Sequence, residues 1–114
     1  MADTDKNVEE LDKLLSNCGP FFSAMGDTVR QKLFMNMAKA GTEGVNVSNL
    51  TADTSLSRPA ISHHLKVLKD CGLIESYREG TKNFYYVELR RKLEEVRSFI
   101  DAVEKLLDAK ASAR

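Results

Sequence analysis

The sequence predicts a mainly α fold of the α+β class, with five helical segments and one β-hairpin. Three observations predict it. Apolar residues recur at three- and four-residue spacing through 5–18, 28–40, 57–71 and from about 90 onward. One stretch, 73–89, concentrates β-branched and aromatic residues around Gly80. Two helical segments near the middle are separated by a turn of only three or four residues, the spacing of a helix-turn-helix unit.

The elements follow in chain order. Val8, Leu11, Leu15 and Cys18 form a stripe with Leu14 beside it, and Gly19-Pro20 is expected to break that helix. The segment FFSAMGD is expected to add a short turn of helix packed on the core. Asp27 or Thr28 can cap the next helix, which runs to about Ala40 with Val29, Leu33, Phe34 and Met37 on its buried face. Gly41 and Gly44 end it, and 45–47 reads as a short extended piece. Ser48 is expected to cap a short helix, SNLTADT, anchored by Leu50.

A tight turn at 54–56 leads to a helix over 57–71, in which Ile61, Leu65 and Leu68 share a face. Gly72 suits a left-handed C-cap. Strands are expected at 73–78 and 83–89, joined by the loop EGTKN. In the last helix, Leu89, Leu93, Val96, Ile100, Val103 and Leu107 alternate steps of four and three, widened by Phe99 and Leu106. Residues 110–114 are expected to fray. A terminal helix with this much apolar surface needs a partner. The first and last helices are therefore expected to form a two-fold dimer interface through Val8, Leu11, Leu15, Leu93, Val96, Ile100, Val103 and Leu107.

With 114 residues, the chain is expected to form a single domain over 1–114. No apolar run approaches the roughly 20 residues that span a bilayer, and the acidic start MADTDKNVEE is no secretory signal. Two cysteines make no disulfide framework, so a cytoplasmic location is expected. No nucleophile with a base, no carboxylate pair and no phosphate-binding loop is visible, which argues against an enzyme, and no cofactor is implied.

The formal net charge is zero, but its distribution is uneven. From Met1 to Gly26 there are five acids (Asp3, Asp5, Glu9, Glu10, Asp12) against Lys6 and Lys13. From Ser57 to Lys92 there are eight bases (Arg58, Lys66, Lys69, Arg78, Lys82, Arg90, Arg91, Lys92) against Asp70, Glu75, Glu79 and Glu88. Such asymmetry orients a molecule on a polyanion.

The outer face of helix 57–71 and its flanks carry Pro59, Ser62, His63, Lys66 and Lys69, with Ser57 and Arg58 at the helix start and no acid before Asp70. A helix lying on phosphates and base edges needs such a face, and Arg58, Ser62, His63 and Lys66 are the expected contacts with double-stranded DNA. The bland alternative is a solvated face; the neighbouring short helix and hairpin favour the DNA reading. Adjacent side chains on a helix point about 100° apart, so His63 and His64 cannot share a ligand face, and no metal site is expected. His63 is read as facing DNA and His64 as partly buried at the core's edge. Arg78 and Lys82 flank the hairpin tip, where phosphate contact and simple solubility are equally good readings. Tyr77, Tyr85 and Tyr86 are read as packing residues. Cys18 and Cys71 are read as small buried residues at helix ends in preference to a thiol switch.

Three blocks of this sequence resemble the ArsR-type winged-helix transcription regulators. FFSAMGDTVRQKLF resembles the family's opening, with Ala24, Met25, Gly26, Asp27, Arg30 and Leu33 matching. LSRPAISHHLKVLKDCGLIES resembles its recognition segment through Ser57, Ser62, His64, Leu65, Leu68, Gly72 and Leu73. REGTKNFYYV resembles its wing through Arg78, Gly80 and Tyr86. The resemblance covers about 21–107. It implies a winged helix-turn-helix with a β-hairpin wing and a homodimeric repressor on an inverted-repeat operator, released by a signal. Helix 57–71 would enter the major groove, with hairpin 73–89 as wing. Relatives that sense metals carry cysteines in the third helix or Asp and His on the last. Here GVNVSNL has no cysteine and the last helix has no histidine, so neither arrangement can be built. Some relatives sense oxidants through paired cysteines, which is the alternative for Cys18 and Cys71. The competing function is a winged-helix dimer used for protein interaction without strong DNA binding, a reading the zero net charge favours.

Overall fold

The computed structural model describes residues 2–52 and 54–112. Their order is α1 (Ala2–Met25), α2 (Thr28–Ala40), a 3-10 turn (Gly41–Glu43), α3 (Val47–Ala52), α4 (Arg58–Asp70), β1 (Ile74–Glu79), β2 (Lys82–Val87) and α5 (Arg90–Ser112). The chain divides into two compact units, one of residues 21–89 and one of residues 1–20 with 90–114.

In the central unit, Ala24, Leu33, Met37, Leu50, Ile61, Leu65, Leu68, Leu73 and Ile74 form one buried cluster. Full burial of a large aliphatic side chain contributes roughly 1.5–3 kcal/mol. The expected buried face of α2 is present, with Leu33 and Met37 inside and Val29 and Phe34 at the edge. Asp27 is its cap: the carboxylate accepts from the Arg30 amide at 3.0 Å. That hydrogen bond, the first cause, together with the Arg30 charge holds the Asp27 carboxyl below its ordinary range.

Arg30 supplies the polar side of the same corner. Its Nε donates to the Ala24 carbonyl at 2.8 Å and its Nη2 to the Ser23 carbonyl at 3.4 Å. Those oxygens lie in the last turn of α1, where helical carbonyls lack intrahelical partners. Its Nη1 lies 3.4 Å from His64 Nδ1 on α4. Arg30 thus ties the α1 end, the α2 cap and α4 together.

Four expectations are corrected. Gly19-Pro20 does not break the first helix, which continues through Pro20 to Met25 and includes most of FFSAMGD. Proline lacks an amide and clashes with the preceding residue's Cβ. Gly19 has no Cβ, and space around it is open. The expected break instead coincides with the boundary between the two units. Asn46, not Ser48, caps α3: its Oδ1 accepts from the Asn49 amide at 2.9 Å, and Ser48 lies inside the helix. The hairpin loop is two residues, Gly80 and Thr81, rather than EGTKN, because Glu79 pairs with Lys82. Glycine with positive φ at the first loop position and no positive φ at the second suits a II′ turn, whose twist matches the strands. Finally, helix α5 persists through 110–112, and the rest of the expected fraying lies outside the described residues.

The ends of α4 follow its sequence. Ser57 Oγ accepts from the Ala60 amide at 3.3 Å, and Pro59 sits in the first turn, where no amide partner is lost. At the far end Leu73 N donates to Leu68 O at 3.0 Å and Gly72 N to Lys69 O at 3.1 Å. This closing pattern sends the chain into β1 with Leu73 and Ile74 already buried.

The hairpin is fixed at its base by a third piece of chain. Val45 bridges Tyr85 through two backbone hydrogen bonds, N to O at 2.9 Å and the reverse at 2.8 Å. Tyr77 donates its hydroxyl to the Glu43 carbonyl at 2.7 Å and stacks on Phe84 with ring centroids 5.4 Å apart. Gly44 makes this approach possible. Its φ of 75° and ψ of −178° lie in a region that is essentially glycine-only, and an added Cβ would come within 2.7 Å of the Tyr85 carbonyl oxygen.

Gly44→Ala is therefore expected to lower stability by about 1–3 kcal/mol or more, read as a reduced midpoint in urea. An unchanged midpoint would mean that the wing base is not held this way. Asp27 gives a pH signature. Its folded pKa is depressed, so its contribution is fully present above the unfolded carboxylate pKa and is lost as pH falls through the folded value. Asp27→Ala should lower the melting temperature at neutral pH and have little effect below the carboxylate range.

Candidate nucleic-acid interface

The buried side of α4 dictates its outer side. Ile61, Leu65 and Leu68 have no exposed surface, so the helix cannot rotate. The eight residues expected to meet DNA, Ser57, Arg58, Pro59, Ser62, His63, Lys66, Arg78 and Lys82, are all exposed. They lie on α4 with its cap and on the hairpin, all within the central unit. His63 is exposed and His64 half-buried, and their rings are tilted by 57° with centroids 6.0 Å apart. Among the described residues, no group of three or more His, Cys, Asp or Glu side chains could hold a metal ion.

Several of these side chains already have partners. Lys66 Nζ pairs with Asp70 Oδ2 at 2.8 Å, which raises the Lys66 pKa through the hydrogen bond and the charge. Both side chains remain largely in water, at 72% and 62% exposure. Such a pair is weak, and a phosphate can take the place of Asp70 with little loss. Lys69 donates to Ser76 Oγ at 2.8 Å, and Arg78 Nε donates to the Gly80 carbonyl at 3.1 Å. Arg58 Nη1 donates to Ser48 Oγ at 3.0 Å across the helix-turn-helix.

Sequence reasoning missed the neighbours of Arg58. A polar cleft of about 290 Å³ is lined by Asn46, Val47, Ser48, Arg58, Thr81, Lys82 and Asn83. It brings the start of α3, the start of α4 and the wing tip together. Ten residues separate Ser48 from Arg58, and no sequence signal links them. Arg30 was visible as a matching residue in the opening motif, but its partners at Ala24 and His64 were not.

The residues expected at a dimer interface divide into two sets. Val8, Leu15, Leu93, Ile100 and Leu107 are exposed, at 49%, 47%, 39%, 47% and 58%. Leu11, Val96 and Val103 are half-buried within the single chain. The exposed members are spaced by seven residues on each helix, two turns, and so share a face. The apolar stripes of α1 and α5 are thus split between an inward and an outward side. Cys18 is fully buried and Cys71 half-buried, and both are free thiols. Burial raises the Cys18 pKa, Glu95 adds to the rise and Lys92 opposes it, so this thiol stays protonated at neutral pH. The two cysteines fall in different units. No helix among the described residues is long and apolar enough to cross a membrane.

Comparison with known proteins agrees with this geometry. Residues 43–76, from the 3-10 turn through α4 into β1, match the model of a family described as bacterial regulatory protein, arsR family. An uncharacterized HTH-type transcriptional regulator of Methanocaldococcus jannaschii is 36% identical over 66 residues, covering 58% of this chain and 72% of that protein. The transcriptional repressor SdpR of Bacillus subtilis is 31% identical over 64 residues, covering 56% and 68%. Among solved structures, an ArsR-like transcriptional regulator from Rhodococcus sp. RHA1 superposes with a TM-score of 0.70 at 25% identity, covering 87% of each chain. A homodimeric winged helix-turn-helix DNA-binding domain from Mycobacterium bovis gives 0.62 at 25% identity, covering 85% of this chain and 83% of that one. The mainly helical chain with its antiparallel hairpin is thus a winged helix-turn-helix, and it belongs to the ArsR family of transcription regulators, not to a family of enzymes.

Proposed function

We propose that this regulator is a homodimeric repressor that binds an inverted-repeat operator. The carrying observation is the two-sidedness of α4. Its apolar side is wholly committed to the core, and its other side presents Arg58, Ser62, His63 and Lys66 to solvent. That helix lies in the major groove. Ser62 and His63 meet base edges, while Arg58 and Lys66 meet phosphates or guanine. Arg78 and Lys82 on the hairpin reach the flanking backbone as a wing.

Dimerisation supplies the second half-site. The outward stripes of α1 and α5 leave five large apolar side chains in water, a surface that a second copy covers. The homodimeric state of the Mycobacterium bovis domain and the repressor role of SdpR support the reading. The 1–114 chain then works as one DNA-binding module whose first and last helices serve dimerisation. Two recognition helices would sit about 34–36 Å apart, one DNA turn. The protein acts in the cytoplasm, on operator DNA.

Titration of the protein into its own promoter DNA at two salt concentrations tests this. Binding should weaken steeply as salt rises. Lys66→Ala should weaken binding to all sequences, and His63→Ala should relax sequence preference, neither lowering the melting temperature. No binding at low salt would leave the protein-interaction reading. For the dimer, Ile100→Glu places a charge in the outward stripe. It should give a folded monomer by light scattering with operator affinity reduced at least about tenfold; an intact dimer would refute the interface.

A further inference from the structure

The cleft between helix-turn-helix and wing has an uneven set of walls. It holds two cations, Arg58 from α4 and Lys82 from the wing, and no acid lines it. Arg58 is already held: one of its five donors is committed to Ser48 Oγ at 3.0 Å, which leaves the rest of the fork open. Lys82 pairs with Glu79 in the hairpin register, but its ammonium makes no ion pair or hydrogen bond among the described residues. The side chains of Thr81 and Asn83 have no partner among them either. A cavity with positive walls, open donors and no counter-charge is shaped for an anion. A guanidinium fork matches two phosphate oxygens, and an ammonium acts as a point charge on a third.

We propose that this cleft seats one phosphodiester of the DNA backbone, gripped by Arg58 and Lys82 together, with Ser48 as the positioning residue for Arg58. The proposal rests on the reading of the chain as a DNA-binding regulator and assigns two of its expected contacts to a single phosphate. Recognition helix and wing would then be locked to one point on one strand, which sets the register of both. A free phosphate is disfavoured as the occupant: both cations are exposed and belong to elements that face DNA, so a small anion would gain little against water.

The slope of log affinity against log salt counts neutralised phosphates, at about 0.9 for each. Arg58→Ala, Lys82→Ala and the double variant are measured on the full chain with promoter DNA, after a check that melting temperatures are unchanged. One shared phosphate predicts that the double variant lowers the slope by about 0.9, and that its affinity loss falls well short of the product of the two single losses. A slope lowered by about 1.8 with multiplicative losses would mean two separate phosphates and overturn the proposal. Ser48→Ala should weaken binding in the native background and have no further effect beside Arg58→Ala; equal effects in both would remove its positioning role. Saturable, tight binding of inorganic phosphate to the DNA-free protein, abolished by Lys82→Ala, would assign the cleft to a free anion instead. Failure of the native protein to bind DNA at low salt is distinct from all of these, and would sink the regulator reading and the clamp together.

Discussion

The burial of one face of the recognition helix constrains everything else in the central unit. Ile61, Leu65 and Leu68 are each fully removed from water against Leu33, Met37, Leu50, Leu73 and Ile74. Rotating α4 by about 100° would exchange these for Ser62, Lys66 and Lys69, placing a hydroxyl and two amines in the core. The outer face is therefore fixed by the cost of exposing the inner one. The same cluster takes in Leu73 and Ile74 at the start of the hairpin, so the wing departs from the core that orients the helix.

Polar contacts refine what the apolar cluster sets. Arg30 joins the last carbonyls of α1, the cap of α2 and His64 on α4 through one planar fork, at only 15% side-chain exposure. A lysine has no such geometry. On the other side of the unit, the Val45–Tyr85 bridge and the Tyr77 hydroxyl hold the hairpin base to the loop after α2. Helix and wing thus share one support.

Charge and apolar surface divide the chain by task. Net charge is zero, yet α4 and the hairpin carry exposed bases, among them Lys66, paired with Asp70, and Lys69, which donates to Ser76. Such contacts hold side chains in place and yield to a stronger anion. The acidic excess lies in the first helix, whose exposed Val8 and Leu15 belong to the apolar stripes. Those stripes account for why so small a protein leaves several large aliphatic side chains in water.

By itself, the sequence determined the order of elements, the buried faces of α2 and α4 and the exposed set on α4. These depend on periodicity within a dozen residues, and local spacing encodes them directly. It did not determine where local rules compete. Proline 20 reads as a break, yet the helix passes through it, and Gly19 before it has no Cβ for the ring to meet. Ser48 and Asn46 are both good caps, and backbone placement chose Asn46, freeing Ser48 for Arg58. Heptad spacing showed which residues of α1 and α5 are apolar, but only packing separated Leu11, Val96 and Val103 from the exposed Val8, Leu15 and Ile100. The Arg58–Lys82 cleft was decided by tertiary structure alone. Its walls come from segments ten or more residues apart, and no local pattern records a distance between side chains that only folding brings together.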